Sequence, residues 1–88
     1  MPRIEFTRRF TKSYGNLPKA IQQKVQKAIA LLAKDPRHPS LQAKPIQGAK
    51  GIYEARVDIN HRLTYERLPG DILHLRALSD QDDTLKNP

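Results

Sequence analysis

The chain has no cysteine and no tryptophan, one methionine and four glycines, and only 6% of its 88 residues are aromatic. Without cysteine there is no disulfide framework and no thiolate ligand set, which excludes a small secreted scaffold and a Cys-based zinc module and fits a reducing cytoplasm. Long apolar runs are missing too. The longest, Ala28 to Ala33, has six residues, against the about 20 that a membrane-spanning helix needs. The opening Met1-Pro2-Arg3-Ile4-Glu5 lacks the apolar segment of a signal peptide, so a cytoplasmic protein with no membrane partner is expected. No Gly-rich phosphate loop, nucleophile elbow or dinucleotide fingerprint is found, and no His pair has metal-ligand spacing. Nucleotide-cofactor enzymes are set aside, and neither a cofactor nor a metal is expected.

Acidic residues are scarce in one half only. Residues 1–50 hold eleven Lys+Arg against two Asp+Glu, and residues 51–88 hold five against seven, so local charges of +9 and −2 make up the formal +7. A basic first half points to a polyanionic partner, because Lys and Arg that neutralise phosphates release counterions. A solubility face would give the same count. The length supports a single domain, residues 1–88, since a chain this small hides roughly 60% of the surface its unfolded form exposes.

Periodicity supplies the elements. Ile4 and Phe6 alternate with Arg3 and Glu5, which predicts a short half-buried strand over residues 2–6. Thr7 is placed to cap a helix that carries Phe10 and Tyr14 on one face and ends at Gly15. Asn16 stands as the cap ahead of Pro18 for a second helix. Leu17, Ile21, Val25, Ala28, Ile29 and Leu32 form its continuous apolar stripe, and Asp35-Pro36 stops it. Residues 36–51, rich in Pro and Gly, read as an irregular connection.

From residue 52 the period becomes two. Tyr53, Ala55 and Val57 oppose Ile52, Glu54, Arg56 and Asp58; Leu63 and Tyr65 oppose Arg62, Thr64 and Glu66; Leu73, Leu75 and Ala77 oppose His74 and Arg76. Turns fall at Asn60 and at Pro69-Gly70-Asp71. The expected fold class is α+β, with two N-terminal helices on one face of a small, mainly antiparallel sheet in the order β-α-α-β-β-β. Tyr14, Tyr53 and Tyr65 fall on the core side by the same periodicity.

The polar sheet face carries Arg56, Arg62 and Arg76 on three successive strands. A guanidinium donates two parallel hydrogen bonds and keeps its charge when partly desolvated, so this pattern suits a phosphate. Cross-strand pairing of Arg56 and Arg62 with Glu54 and Glu66 is the competing reading. His38, His61 and His74 are candidates for acid–base work by residue type, but none has an evident partner, and a solvated His is the plainer reading of each.

Phe10, then Leu17-Pro18-Lys19, Leu32-Ala33-Lys34-Asp35-Pro36-Arg37-His38-Pro39, Gly51-Ile52-Tyr53-Glu54-Ala55-Arg56-Val57, Arg62-Leu63-Thr64-Tyr65 and Asp82-Asp83-Thr84-Leu85 together resemble the RelE/ParE superfamily of toxins from type II toxin–antitoxin systems. The Tyr-Glu-Ala-Arg-Val and Arg-x-x-Tyr strands at their mutual spacing are its most specific parts. The resemblance implies a RelE-like, ribosome-associated, metal-independent mRNA endoribonuclease that inhibits translation, with mRNA, ribosomal RNA and a cognate antitoxin as partners and a heterotetramer as one assembly. It implies catalytic roles for Arg56 and Arg62 at the scissile phosphate and for Gln81 near the leaving group. Lys44, Lys50, His61, His74 and Arg76 are then the additional RNA contacts. Where close relatives carry His or Arg, this chain has Gln81, which hydrogen-bonds but neither carries charge nor donates a proton at neutral pH. Leu85 and Asn87 stand near the position of a usual terminal aromatic, and Asp80, Asp82 and Asp83 bring carboxylates. A weak nuclease follows, with a catalytically degenerate binding module or a ParE-like gyrase inhibitor as the alternative.

Overall fold

The computed structural model describes residues 2–80, with Ser79 and Asp80 described by their backbone alone. β1 (Arg3–Phe6) leads into α1 (Arg8–Gly15) and α2 (Lys19–Lys34). A 3-10 turn (Pro39–Leu41) and a two-residue strand β2 (Lys44–Pro45) follow, then β3 (Ile52–Arg56), β4 (His61–Leu68) and β5 (Ile72–Asp80). The sheet order is β1-β5-β4-β3-β2. β1 runs parallel to β5, and every other pairing is antiparallel. The expected α+β architecture is therefore present, with one short strand added inside the connection that periodicity left irregular. Lys44 and Pro45 are too few to leave a periodic trace.

Local chemistry explains the helix ends. Thr7 has an extended backbone and its Oγ1 accepts the Phe10 amide at 3.0 Å, satisfying one of the amides a helix start leaves orphaned. The same hydroxyl donates to the Arg76 carbonyl at 3.1 Å, tying α1 to β5. Asn16 does not cap α2 as expected. It closes α1, its amide donating back to Ser13 and Tyr14, and Pro18 takes the N-cap of α2 without a side-chain bond. Two hydrogen bonds hold the helical hairpin: Gln22 Nε2 donates to the Tyr14 carbonyl at 2.9 Å and Gln26 Nε2 to its hydroxyl at 2.6 Å.

Val25, Ala28 and Leu32 from α2, Phe10 from α1 and Leu41 from the 3-10 turn pack on Ala55, Leu63, Tyr65, Leu73, Leu75 and Leu78 of the sheet. Each large apolar side chain so buried contributes about 1.5–3 kcal/mol. Strict alternation placed Ala77 in this core, and the structure puts Leu78 there instead. β4 and β5 slip by one residue between Thr64 and Tyr65, where Thr64 pairs with Ala77 but Tyr65 pairs with Leu75. Arg76 is thus the extra residue of a β-bulge, and everything beyond it changes face. The turn before β5 contains two consecutive left-handed residues, Gly70 (φ 81°) and Asp71 (φ 59°), a pairing that glycine and aspartate tolerate better than branched residues.

Candidate nucleic-acid interface

Residues paired across antiparallel strands share a face, so the register maps the side of the sheet turned away from the helices. Arg56 stands opposite Arg62, Glu54 opposite Thr64, and Ile52 opposite Glu66. Lys44 extends the second of these rows through Glu54, and Ala77 extends it through Thr64. The third row continues from Glu66 to His74 and then Glu5 on β1.

The first row carries two half-buried arginines face to face, an arrangement that costs free energy unless a counter-charge is present. The cross-strand carboxylates do not provide it. Glu54 Oε1 pairs with Lys44 Nζ at 3.5 Å, and Glu66 forms no ion pair among the described residues. Arg56 has no hydrogen-bond or ion-pair partner among the described residues. Arg62 donates through Nη1 alone, to the carbonyls of Asp58 at 2.6 Å and His61 at 3.0 Å. Its Nη2 and Nε make no bond among the described residues, which leaves one edge of the guanidinium for an anion.

Beside the arginines the face is buried rather than open. Glu54, Thr64 and Ala77 are 4%, 0% and 2% exposed. Glu54 Oε2 and Thr64 Oγ1 are both buried without a hydrogen-bond partner among the described residues. An unsatisfied buried polar atom costs about 1–3 kcal/mol, and two of them in one cross-strand pair mark a place where packing is not optimised for stability alone. Sequence reasoning missed both, because alternation marks Glu54 and Thr64 as solvent-facing.

The remaining expected contacts do not converge on the arginine pair. His74 is opposite Glu66, four residues along β4 from Arg62, or about 13 Å away. His61 precedes Arg62 and its Nδ1 bonds Asp58 Oδ1 at 2.8 Å. That carboxylate also pairs with Lys24 of α2 at 3.6 Å, so His61 is turned to the helix side. Lys50 is exposed at the far end of β3. Arg76 sits in the bulge, next to the Thr64–Ala77 pair, and its carbonyl is held by Thr7. Lys44 joins the row beside the arginines. Gln81 lies outside the described residues. Asp58, unnoticed in the sequence, organises the turn between β3 and β4; Asp-x-Asn-His was its visible signal, since Asp side chains bond backbone amides one to three residues on.

Two hollows lie on the helix side. A groove of about 320 Å³ is lined by Phe6, Phe10, Thr11, Tyr14, Gln26 and Ile29, and Phe6 at its edge is 54% exposed. A wider cleft of about 660 Å³ contains the stacked Tyr53 and Tyr65 rings, 5.7 Å apart, with Arg67 5.6 Å from the Tyr53 centroid. Burial pushes the Tyr65 hydroxyl pKa up, with Arg67 partly opposing, so it is a neutral donor at physiological pH. Tyr53 thus stacks on Tyr65 and has a cation beside its ring.

No protein-family model and no curated protein sequence matches the chain. Solved structures do. YafQ from E. coli superposes with a TM-score of 0.77 at 22% identity over 96% of this chain and 98% of that one. The YoeB/ParE toxin of Agrobacterium tumefaciens gives 0.76 at 17% identity, covering 90% and 98%. RelE in the archaeal RelE–RelB complex of Pyrococcus horikoshii gives 0.74 at 19%, covering 91% and 94%. The chain has the RelE/ParE toxin fold. Within that fold, Arg56 and Arg62 occupy the end of the central β3–β4 ladder, on the side away from the helices.

Proposed function

We propose that this chain is the toxin component of a type II toxin–antitoxin pair, with the helix-free sheet face as its RNA-binding site. The observation that carries the reading is the Arg56–Arg62 pair, two like charges kept opposite each other with no carboxylate partner among the described residues. Such a pair is a cost to the free protein and a benefit only when an anion bridges it.

In the reaction proposed, the 2′-hydroxyl of a ribose in mRNA attacks the adjacent phosphorus and the P–O5′ bond breaks, giving a 2′,3′-cyclic phosphate and a 5′-hydroxyl. Arg56 and Arg62 hold the phosphate and stabilise the extra negative charge of the phosphorane, an electrostatic contribution that needs no metal. Glu54 is buried and fixed through Oε1 by Lys44, so water takes the 2′-hydroxyl proton and supplies one to the departing 5′-oxygen. The basic faces of α1 and α2, with exposed Arg8, Lys12, Lys19, Lys24 and Lys27, steer the domain to ribosomal RNA. The Phe6–Phe10 groove, formed by residues of β1, α1 and α2, suits an antitoxin segment with an apolar anchor, and acidic side chains of that segment would meet the basic helices. Antitoxins accompany fold relatives such as the archaeal RelE and YafQ in its complex with DinJ.

One observation favours binding without cleavage. Neither His61 nor His74 reaches the arginine pair, so neither can act at the leaving group. Controlled induction of the chain and of Arg62→Ala, followed by mapping of mRNA 5′ ends, separates the two readings. Growth arrest with new 5′-hydroxyl ends that vanish in the variant supports the nuclease. Arrest without cleavage supports the binding module or a gyrase target, and no arrest by either protein defeats the toxin assignment.

A further inference from the structure

The turn between β3 and β4 contains more hydrogen bonds than its length requires, and all of them involve Asp58 or His61. Asp58 Oδ1 accepts the amides of Asn60 at 2.8 Å and His61 at 2.7 Å, and Nδ1 of His61 at 2.8 Å. Its Oδ2 faces Lys24 of α2 at 3.6 Å. The carboxylate is only 13% exposed, so these bonds are sheltered from competition with water. The same two residues, Asp58 and His61, then present their carbonyls to one nitrogen of Arg62. The orientation of the guanidinium is therefore set by peptide groups that the Asp58 carboxylate helps to hold, together with the Val57 and Asp58 amides that donate to the His61 carbonyl.

We infer that Asp58 is the positioning residue of the site: it holds the turn whose carbonyls pin one edge of the Arg62 guanidinium and turn the opposite edge, which makes no bond among the described residues, toward a phosphate. The inference rests on the reading of Arg62 as a phosphate ligand. A flexible arginine surrenders side-chain entropy when it binds, and one already pinned surrenders less. His61, expected as an RNA contact, acts instead inside this latch. Because a carboxylate oxygen only accepts, Nδ1 carries the proton toward Asp58. Lys24 links the latch to the helical layer, so α2 packing and the arginine site share a connection.

Four variants of the full chain test this: Asp58→Ala, Asp58→Asn, Arg62→Ala and the double Asp58→Ala/Arg62→Ala. Binding to a short fluorescein-labelled single-stranded RNA is measured by anisotropy across a salt series, and Arg62 side-chain resonances are recorded by NMR. Losing one charge-assisted contact weakens binding roughly tenfold, and each lost phosphate contact lowers the salt slope by about 0.7. Asp58→Ala is expected to reproduce both effects of Arg62→Ala, and the double variant to be no weaker than Arg62→Ala alone. Asp58→Asn keeps an oxygen acceptor at Oδ1 and should retain most of the affinity and the slope, which a loss of charge or a general loss of folding would not predict. Multiplicative losses in the double variant, or an unchanged slope in Asp58→Ala, overturn the inference. If Arg62→Ala leaves RNA binding unchanged, the assignment of Arg62 fails instead, and the NMR comparison decides the positioning by itself. Arg62 Nη–H signals that are protected in the parent and lost in Asp58→Ala uphold it, and identical signals in the two proteins overturn it.

Discussion

Replacing Arg56 by glutamate should make the protein more stable and less able to bind RNA. The position faces Arg62 across the β3–β4 ladder, and an opposite-charge cross-strand pair is worth about 0.2–1 kcal/mol over a neutral one, with a like-charge pair costing a comparable amount. Both side chains are half-buried, so solvent screening trims the difference, and a net gain of about 0.5–1 kcal/mol is expected. For a domain of this size that raises Tm by roughly 2–8 °C. RNA binding moves the other way. Arg56→Ala removes one phosphate contact and lowers the salt slope by about 0.7, whereas Arg56→Glu also engages Arg62 and lowers it by about 1.4. Thermal melts by circular dichroism and anisotropy titrations over a salt series read the two effects on the same samples. A lowered Tm would show that Arg56 already has a carboxylate partner in solution, and an unchanged salt slope would show that RNA binds elsewhere. Either result refutes the argument from two arginines without a carboxylate partner among the described residues.

Thr7→Val keeps the shape of the side chain but loses the cap to Phe10 and the bond to the Arg76 carbonyl. A loss of about 2 kcal/mol in urea unfolding is expected, with Thr7→Ser close to the parent; a valine variant within 0.5 kcal/mol, about the lower bound of a cap, would disprove the dual role. The bulge makes Leu78, 3% exposed, a core residue, so Leu78→Ala should cost about 2–5 kcal/mol, while strict alternation would leave it on the surface at almost no cost. Asp58 gives a pH signature. Burial raises its pKa, but the bonds from the His61 side chain and the Asn60 and His61 amides outweigh that and hold it below the usual carboxylate value. A lowered folded-state pKa gives stability that is complete above the unfolded value, about 4, and is lost as pH falls through the folded one. The acid limb of the stability curve below about pH 4 should therefore flatten in Asp58→Asn, and an unchanged limb would contradict the assignment of those bonds.

Much of the fold could be read directly because it depends on contacts close in sequence. Thr7 caps within three residues, the α2 stripe repeats every three to four, and the Pro69-Gly70-Asp71 turn is chemistry of three adjacent residues. Tyr65 belongs to the core as periodicity indicated, and Tyr14 and Tyr53 pack against it. Asn16 misled because its side chain suits either end of a helix, and which end it serves depends on how the hairpin closes.

The amino-acid sequence by itself determined the order and type of the main elements, the basic surface of the helices and the arginines on β3 and β4, since each of these follows from spacing and side-chain chemistry. Only the tertiary structure decided the register. A one-residue slip at Arg76 turns Ala77 away from the helices and brings Leu78 toward them, while the β3–β4 register sets Arg56 opposite Arg62 and the β4–β5 register leaves His74 opposite Glu66, away from the arginines. Strand pairing is a long-range choice made by whichever alignment buries the most apolar surface, and a single strand read alone contains no record of where its partner begins.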